Sequence, residues 1–243
     1  MTPITASTEA LRYTGNVCIS GLTASGKTTH SHLLAGEFGL TYVSGSQIQL
    51  NFMGISPIQT KDFWITEEAK PLWNNDAFSR IDAELLRIES VSDGCIFDTS
   101  TMPWRHRRPA LCIWLGSSLE SRVLKSIVSH RGRSHVEIDE YPTRIAEKDA
   151  ATQRLYKDLY KIEIGEDLSC FDLILDISPL IKNATLEASL ASIKATHDVI
   201  RPAVAWYLTN RVEFRRQFEA VVTASPPGLI VHNAVCAARL VHA

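Results

Sequence analysis

The 243-residue sequence predicts a three-layer α/β/α fold, in which helices cover both faces of a five-stranded parallel sheet. The candidate strands are short, continuously apolar runs, which are typical of strands buried on both faces. Longer segments with helical periodicity separate them, and this alternation indicates right-handed crossover connections. The predicted strands are Val17–Ser20, Leu40–Val43, Cys95–Asp98, Leu111–Leu115 and Phe171–Asp176.

Apolar periodicity places the helices between these strands. The segment Lys27–Phe38 is the first, and Asp76–Ser90 and Ser117–His130 repeat apolar residues at spacings of three and four. Another amphipathic stretch begins after Asn183. We expect Pro202 to kink or break it, because proline removes a helical hydrogen bond and clashes with the preceding turn.

Composition favours a soluble, cytoplasmic protein. Hydrophobic residues make up 45% of the chain, enough for a sizeable core. The 25 basic and 27 acidic residues leave a formal net charge of −2, which argues against a nucleic acid polymer or an anionic membrane as partner. No apolar stretch approaches the ~20 residues that span a bilayer. We expect a small-molecule or nucleotide partner, and the oligomeric state stays open.

Three regions are predicted along the chain. Residues 1–14, rich in Thr, Ser and Ala, indicate a flexible tail, and residues 15–210 hold the strands and helices of the main domain. Residues 211–243 contain Pro226, Pro227 and Gly228 and are predicted to form a C-terminal appendage.

The clearest motif is Gly21-Leu-Thr-Ala-Ser-Gly-Lys-Thr, which fits the phosphate-loop pattern G-x-x-x-x-G-K-[ST] between a predicted strand and a predicted helix. Its glycines let backbone N–H groups surround phosphates, and the helix N-terminus adds a positive dipole end. Lys27 is expected to reach the β- and γ-phosphates of ATP, and the Thr28 hydroxyl to ligate Mg²⁺. The predicted cofactor-binding residues are Gly21, Thr23, Ala24, Ser25, Gly26, Lys27, Thr28 and Thr29.

Two stretches carry a family resemblance. The sequence has no N-K-x-D motif of the kind that reads guanine in GTPases. The phosphate loop followed by Gly39-Leu-Thr-Tyr-Val-Ser-Gly-Ser-Gln-Ile resembles the start of the cytidylate kinase-like group of nucleoside monophosphate kinases. So does Arg154-Leu-Tyr-Lys-Asp-Leu-Tyr-Lys-Ile-Glu-Ile, running on to the last predicted strand. The resemblance covers about residues 16–200 and implies a P-loop kinase fold.

The resemblance also implies an acceptor-binding helical insert at about residues 51–90 and a closing lid at about residues 130–161. Phosphoryl transfer needs positive charge around the transferred group, and the lid carries several cations. Interleaved acidic residues leave a solvated helix face as the alternative. Lys148 and Arg154 are predicted to be catalytic, since Lys148-Asp149 stands where the family carries Arg followed by Asp or Glu. Arg131 and Arg144 are predicted to bind substrate.

The acceptor site departs from the family pattern. Leu50 stands where the family places an arginine that grips the acceptor phosphate, and Thr152 stands where a lid aspartate reads cytosine. Asp98-Thr99-Ser100 replaces an acidic residue followed by Gly-Arg. A leucine cannot hold a phosphate, so Arg80 on the insert helix either replaces the clamp or is simply an exposed arginine. Ser44 and Gln47 are carried over to the acceptor cleft.

Three functions stay open at this point. The first is transfer of the γ-phosphoryl group of ATP to a nucleoside monophosphate such as CMP or a related nucleotide. The second is a small-molecule kinase with a hydroxyl acceptor, which would need a general base, and Asp98 at a strand's carboxyl end is the candidate. Asp98 could instead be a hydrogen-bond partner of Thr28 or of a metal-bound water. The third is a nucleotide-binding regulatory protein without turnover.

Overall fold

The computed structural model describes residues 15–55, 63–130, 136–224 and 230–232. Six strands form one sheet, in which five are parallel and the last is antiparallel. They are β1 (Asn16–Ser20), β2 (Thr41–Ser44), β3 (Cys95–Asp98), β4 (Ala110–Gly116), β5 (Leu173–Asp176) and β6 (Ile230–His232). The order across the sheet is β2-β3-β1-β4-β5-β6. The predicted five-stranded parallel sheet is confirmed, and β6, which was not predicted, extends it.

Helices connect the strands as the periodicity predicts. Those of the main domain are α1 (Lys27–Phe38), α2 (Gly45–Met53), α3 (Asn75–Val91), α4 (Met102–Arg105), α5 (Leu119–His130), α6 (Tyr141–Tyr160) and α7 (Leu186–Thr209). Helix α8 (Val212–Thr223) follows, and 3₁₀ turns at Phe63–Ile65 and Glu67–Leu72 lie before α3. Another such turn, at Ile138–Glu140, lies between Glu137 and Tyr141.

The two faces of the sheet bury separate hydrophobic clusters. On β1, Val17 and Ile19 face the cluster formed with α1, α7 and α8, whereas Cys18 faces the cluster formed with α3 and α6. All three side chains are fully buried. Because successive residues of a strand point to opposite faces, this alternation requires both faces to be covered. The predicted three-layer α/β/α fold is confirmed.

The register of the strands aligns the carboxyl ends of β1, β2 and β3 at one edge of the sheet. Ile19 on β1 and Ser44 on β2 both pair with Asp98 on β3, so the carboxyl ends of these strands coincide. The phosphate loop leaves β1 there and runs directly into α1 at Lys27. Parallel α/β sheets bind ligands outside the carboxyl ends of their strands.

Helix α7 is not broken at Pro202, one of the two outcomes expected there. It runs unbroken from Leu186 to Thr209 with this proline inside it. Pro202 and its neighbours Val199, Ala203 and Val204 are buried against the sheet. Packing of this buried stretch outweighs the hydrogen bond that the proline cannot donate.

The C-terminal region packs on the main domain through α8. Its Phe218 is buried, and the ring lies 6.3 Å from that of Trp206 on α7. The backbone of β6 pairs with β5. The tail predicted over residues 1–14 lies outside the described residues. Within the described residues, no helix has the length and hydropathy to cross a membrane.

Candidate active site

The phosphate loop has the tight backbone that its glycines predict. Gly21 and Gly26 have φ angles of 156° and 106°, and Ala24 also has a positive φ of 61°. A Cβ atom added at Gly21 would lie 2.6 Å from the Leu115 carbonyl oxygen and 2.6 Å from Ser25 Oγ. The cradle therefore leaves no room for a side chain at Gly21, and its shape suits a chain of phosphates.

Lys27 lies inside this cradle. Its Nζ donates to the carbonyl oxygens of Gly21 and Leu22, at 2.8 and 2.9 Å. Burial lowers the pKa of Lys27, and the carboxylates of Asp98 and Asp149 partly offset that shift. The predicted position of Lys27 at the centre of the loop suits a role as a phosphate-binding cation.

Asp98 lies beside the first residues of α1. Its Oδ2 accepts hydrogen bonds from Thr28 Oγ1 at 2.6 Å and from the Tyr42 hydroxyl at 3.0 Å. Burial and the nearby Asp98 charge raise the pKa of Tyr42 far above its usual value, so this phenol stays a donor. Hydroxyl and carboxylate oxygens are the ligands that Mg²⁺ prefers, so Thr28 and Asp98 fit a magnesium site.

A buried ion pair joins the phosphate loop to α6, and the sequence did not reveal it. Arg122 on α5 donates from Nη1 to Asp149 Oδ2 at 2.5 Å and to the Thr23 carbonyl at 2.9 Å. Asp149 Oδ1 accepts the Thr23 N–H at 2.9 Å, and Arg122 Nε donates to the Ser117 carbonyl at 3.0 Å. The loop, α5 and α6 are thus held together at one point. The only signal in the sequence is a charged residue between the apolar positions of α5.

Breaking this pair from one side should destabilise the protein. In Arg122→Met, the Asp149 carboxylate stays buried without its cation, and we expect the free energy of unfolding to fall by about 3–5 kcal/mol. Urea denaturation followed by circular dichroism measures it. The matched control is Arg87→Met, which removes an exposed ion pair with Glu84 and should leave the unfolding midpoint close to that of the wild type. Equal unfolding midpoints for the two variants would contradict a stabilising role of the Arg122–Asp149 ion pair.

One cleft of about 360 Å³ opens between the phosphate loop, α3 and α6. At the loop end, Lys125 Nζ donates to Ser117 Oγ at 3.0 Å, and burial lowers the pKa of Lys125 to about 8. The opposite half, called here the acceptor half, lies against α2, α3 and the 3₁₀ turns. It is lined by Ser46, Gln49, Trp64, Ile65, Phe78, Ile81, Leu85, Thr99, Ser100, Thr152 and Tyr156.

Lys148, which the sequence predicts to be catalytic, also lines the cleft, and its ammonium lies among aromatic rings. Its Nζ is 4.8 Å from the ring centre of Trp73, 5.0 Å from that of Phe78 and 5.9 Å from that of Trp64. Burial lowers the pKa of Lys148 to about 8, and the Lys27 charge adds to that shift.

The other predicted lid cations lie elsewhere. Arg144 forms ion pairs with Glu67 of the 3₁₀ turns before α3 and with Glu140 at the start of α6, and it is not among the residues lining the cleft. Arg154 is exposed on α6 and does not line the cleft either. Arg131 lies outside the described residues. The structure therefore brings Lys148, but neither Arg144 nor Arg154, to the cleft.

The predicted acceptor residues are also dispersed. Arg80 is exposed on α3, with its guanidinium 4.9 Å from the ring centre of Phe52, outside the cleft lining. Ser44 Oγ caps α2 by accepting the Gln47 N–H at 3.3 Å. Gln47 Nε2 donates to Asn51 Oδ1. Neither Ser44 nor Gln47 is among the residues lining the cleft, whereas Ser46 and Gln49 of α2 are.

Known proteins resemble this chain in sequence. The cytidylate kinase of Pyrobaculum aerophilum is 30% identical over 176 residues, which cover 72% of this chain and 90% of that protein. The cytidylate kinase of Pyrococcus horikoshii is 28% identical over 189 residues, covering 76% and 90%. No family model matches the sequence.

Among solved structures, an uncharacterised protein from Eubacterium ventriosum superposes with a TM-score of 0.50 at 9% identity. The superposition covers 79% of this chain and 98% of that one, and the likeness concerns the fold alone. The sequence relatives decide the family, since the match at 30% identity covers 72% of this chain and 90% of the relative. The chain belongs to the cytidylate kinase family of ATP-dependent P-loop kinases.

Proposed function

We propose that the protein transfers the γ-phosphoryl group of ATP to a nucleoside monophosphate, with CMP as the first candidate. The donor's phosphates bind in the loop around Lys27. Thr28 and Asp98 would hold Mg²⁺ beside these phosphates, where the ion would neutralise part of their charge. The acceptor occupies the half of the cleft that faces α3 and the insert.

The observation that carries this proposal is the set of hydrogen bonds made by the carboxylates that line the cleft. Among the described residues, only Asp98 and Asp149 bring a carboxylate to the cleft. Both oxygens of Asp149 are bonded, one to the Thr23 N–H and one to Arg122. Asp98 lies next to the phosphate loop and accepts from Thr28 and Tyr42 through one oxygen, Oδ2. An alcohol must lose a proton as it attacks, whereas a phosphate oxygen is already ionised and needs no base.

The lining of the acceptor half supports a flat, polar acceptor. The rings of Trp64, Phe78 and Tyr156 offer stacking surfaces for a base. The amide of Gln49 and the hydroxyl of Thr152 can donate and accept hydrogen bonds at the edge of that base. A site of this composition recognises an aromatic heterocycle better than an aliphatic alcohol.

One observation favours the second candidate, a hydroxyl-bearing small molecule. The cations that line the cleft within the described residues are Lys27, Lys125 and Lys148, with no arginine among them. Leu50, at the family's clamp position, is buried in α2. Bidentate recognition of a phosphate is the usual role of arginine. In this second candidate, Asp98 would accept the proton of the acceptor hydroxyl at Oδ1, since Thr28 and Tyr42 both donate to Oδ2.

ADP release against a panel of acceptors tests the proposal. The panel contains CMP, UMP, dCMP, AMP and GMP, the corresponding nucleosides, and phosphate-free alcohols. We expect a pyrimidine monophosphate to accelerate ADP release, with formation of the diphosphate seen by chromatography, and its nucleoside to give none. The matched control is Lys27→Met with the same acceptor. Turnover with alcohols or nucleosides but with no monophosphate would replace this proposal with the second candidate.

A further inference from the structure

Lys148 has a backbone tied in place and a long side chain with several rotatable bonds. The next residue, Asp149, is buried and bonded to both the Thr23 N–H and Arg122, so this turn of α6 is tied to the phosphate loop. The lysine side chain has four methylene groups and a compact ammonium that can rotate about them. Lys148 can therefore change the direction of its ammonium without a movement of α6.

In the structure, the ammonium points to the insert. Trp64, Trp73 and Phe78 surround it, and we call these three rings the aromatic box. Two of them belong to the segment around the 3₁₀ turns, and Phe78 belongs to α3. A cation among several desolvated rings is held more firmly than one against a single exposed ring. Lys148 is thus retained on the acceptor side of the cleft.

The aromatic box and the acceptor half overlap. Trp64 and Phe78 each face the Lys148 ammonium and also line the cleft. A planar base that stacks on either ring covers the surface that the ammonium uses. Occupation by the base and occupation by the ammonium are therefore mutually exclusive on that ring.

We propose that the aromatic box retains Lys148 while the acceptor is absent, and that stacking of the acceptor's base releases Lys148 to the transferred phosphoryl group. The release supplies the cation only when an acceptor is present. This inference rests on the proposed function, because it requires an acceptor with an aromatic base. Lys148 becomes a catalytic residue gated by the substrate.

The consequence is protection of ATP. Without an acceptor, water can attack the γ-phosphorus, breaking the bond to the leaving ADP oxygen and yielding ADP and inorganic phosphate. The cation that stabilises transfer to an acceptor would equally stabilise transfer to water. Retention of Lys148 in the aromatic box keeps this hydrolysis slow.

Phosphate release from ATP without any acceptor tests the gate. We expect Trp73→Leu, and separately Trp64→Leu, to raise this hydrolysis by about 5- to 30-fold, the range that loss of a desolvated cation–π contact implies. The double variant Trp73→Leu/Lys148→Met should return to the wild-type rate or below. Phe63→Leu is the matched control, since its ring packs on Trp64 at 5.1 Å but makes no contact with the ammonium. Thermal unfolding confirms that each variant is folded.

Unchanged or slower hydrolysis in both folded tryptophan variants would overturn the proposal. So would a double variant that keeps the elevated rate, because the box would then act only by excluding water. The proposed function fails separately, if no monophosphate is phosphorylated by the wild type. If the wild type phosphorylates CMP but the tryptophan variants show no increase in ATP hydrolysis, the gate is refuted and the proposed function stands.

Discussion

Lys27→Met is expected to lower kcat/KM for phosphoryl transfer by at least about 10²–10³-fold, the loss that follows removal of one preorganised charge-stabilising donor. The ammonium lies in the centre of the loop, bonded to the carbonyl oxygens of Gly21 and Leu22. Bound phosphates offer better acceptors than these neutral carbonyls, since ionised partners make shorter and stronger hydrogen bonds. Methionine keeps the length of the side chain and removes the charge. Initial rates of ADP formation, with ATP and acceptor each varied, measure the loss.

The same substitution should leave the fold intact. Burial lowers the pKa of Lys27, because removal of the ammonium from water disfavours its charged form. Removal of such a charge does not weaken the folded state in the way that loss of an ion-pair partner does. The control is Lys194→Met, which removes a surface ion pair with Asp198. Both variants should unfold near the wild-type temperature, and only Lys27→Met should lose activity. Full activity in Lys27→Met would refute the donor-site assignment.

Much of the fold and half of the site could be predicted because they depend on local sequence. The buried strands are continuous apolar runs, and the phosphate loop is contiguous in the chain, so its motif carries its own geometry. Cys18, Cys95 and Cys112 are buried in the structure, as apolar strand positions require. The acceptor half has no such contiguity. Its residues come from α2, the 3₁₀ turns, α3, the segment after β3 and α6, which only the fold brings together.

The lid cations show why charge alone is a weak guide. Lys148, Arg144 and Arg154 all lie on α6, yet only Lys148 lines the cleft. Arg154 lies six positions from Lys148 and therefore on another side of the helix. Arg144 lies four positions from Lys148, on the same face one turn earlier, but it pairs with Glu67 of the 3₁₀ turns instead. The buried ion pair of Arg122 and Asp149 could not be predicted from the sequence either. Its two members are separated by 27 positions, and no local pattern distinguishes a buried arginine from an exposed one.

Asp98→Asn is expected to separate the two candidate roles of this carboxylate. If Asp98 holds the metal side of the site, loss of its charge weakens Mg²⁺ binding, so the Mg²⁺ concentration for half-maximal activity should rise at least about tenfold. Excess Mg²⁺ should then restore much of kcat. If Asp98 is instead a general base for a hydroxyl acceptor, kcat should fall by about 10²–10⁴-fold at every Mg²⁺ concentration. Titration of activity with Mg²⁺ at saturating ATP distinguishes the two.

The hydrogen bonds of Asp98 favour the first outcome. Thr28 and Tyr42 both donate to Oδ2, and asparagine can still accept from them through its amide oxygen, so the variant keeps the local geometry while losing the charge. Tyr42→Phe is the matched control, because it removes one donor and leaves the carboxylate in place. That control should keep the wild-type Mg²⁺ dependence. If no Mg²⁺ concentration restores the kcat that Asp98→Asn loses, the acceptor is an alcohol and not a monophosphate. Only an alcohol needs a base to remove its proton.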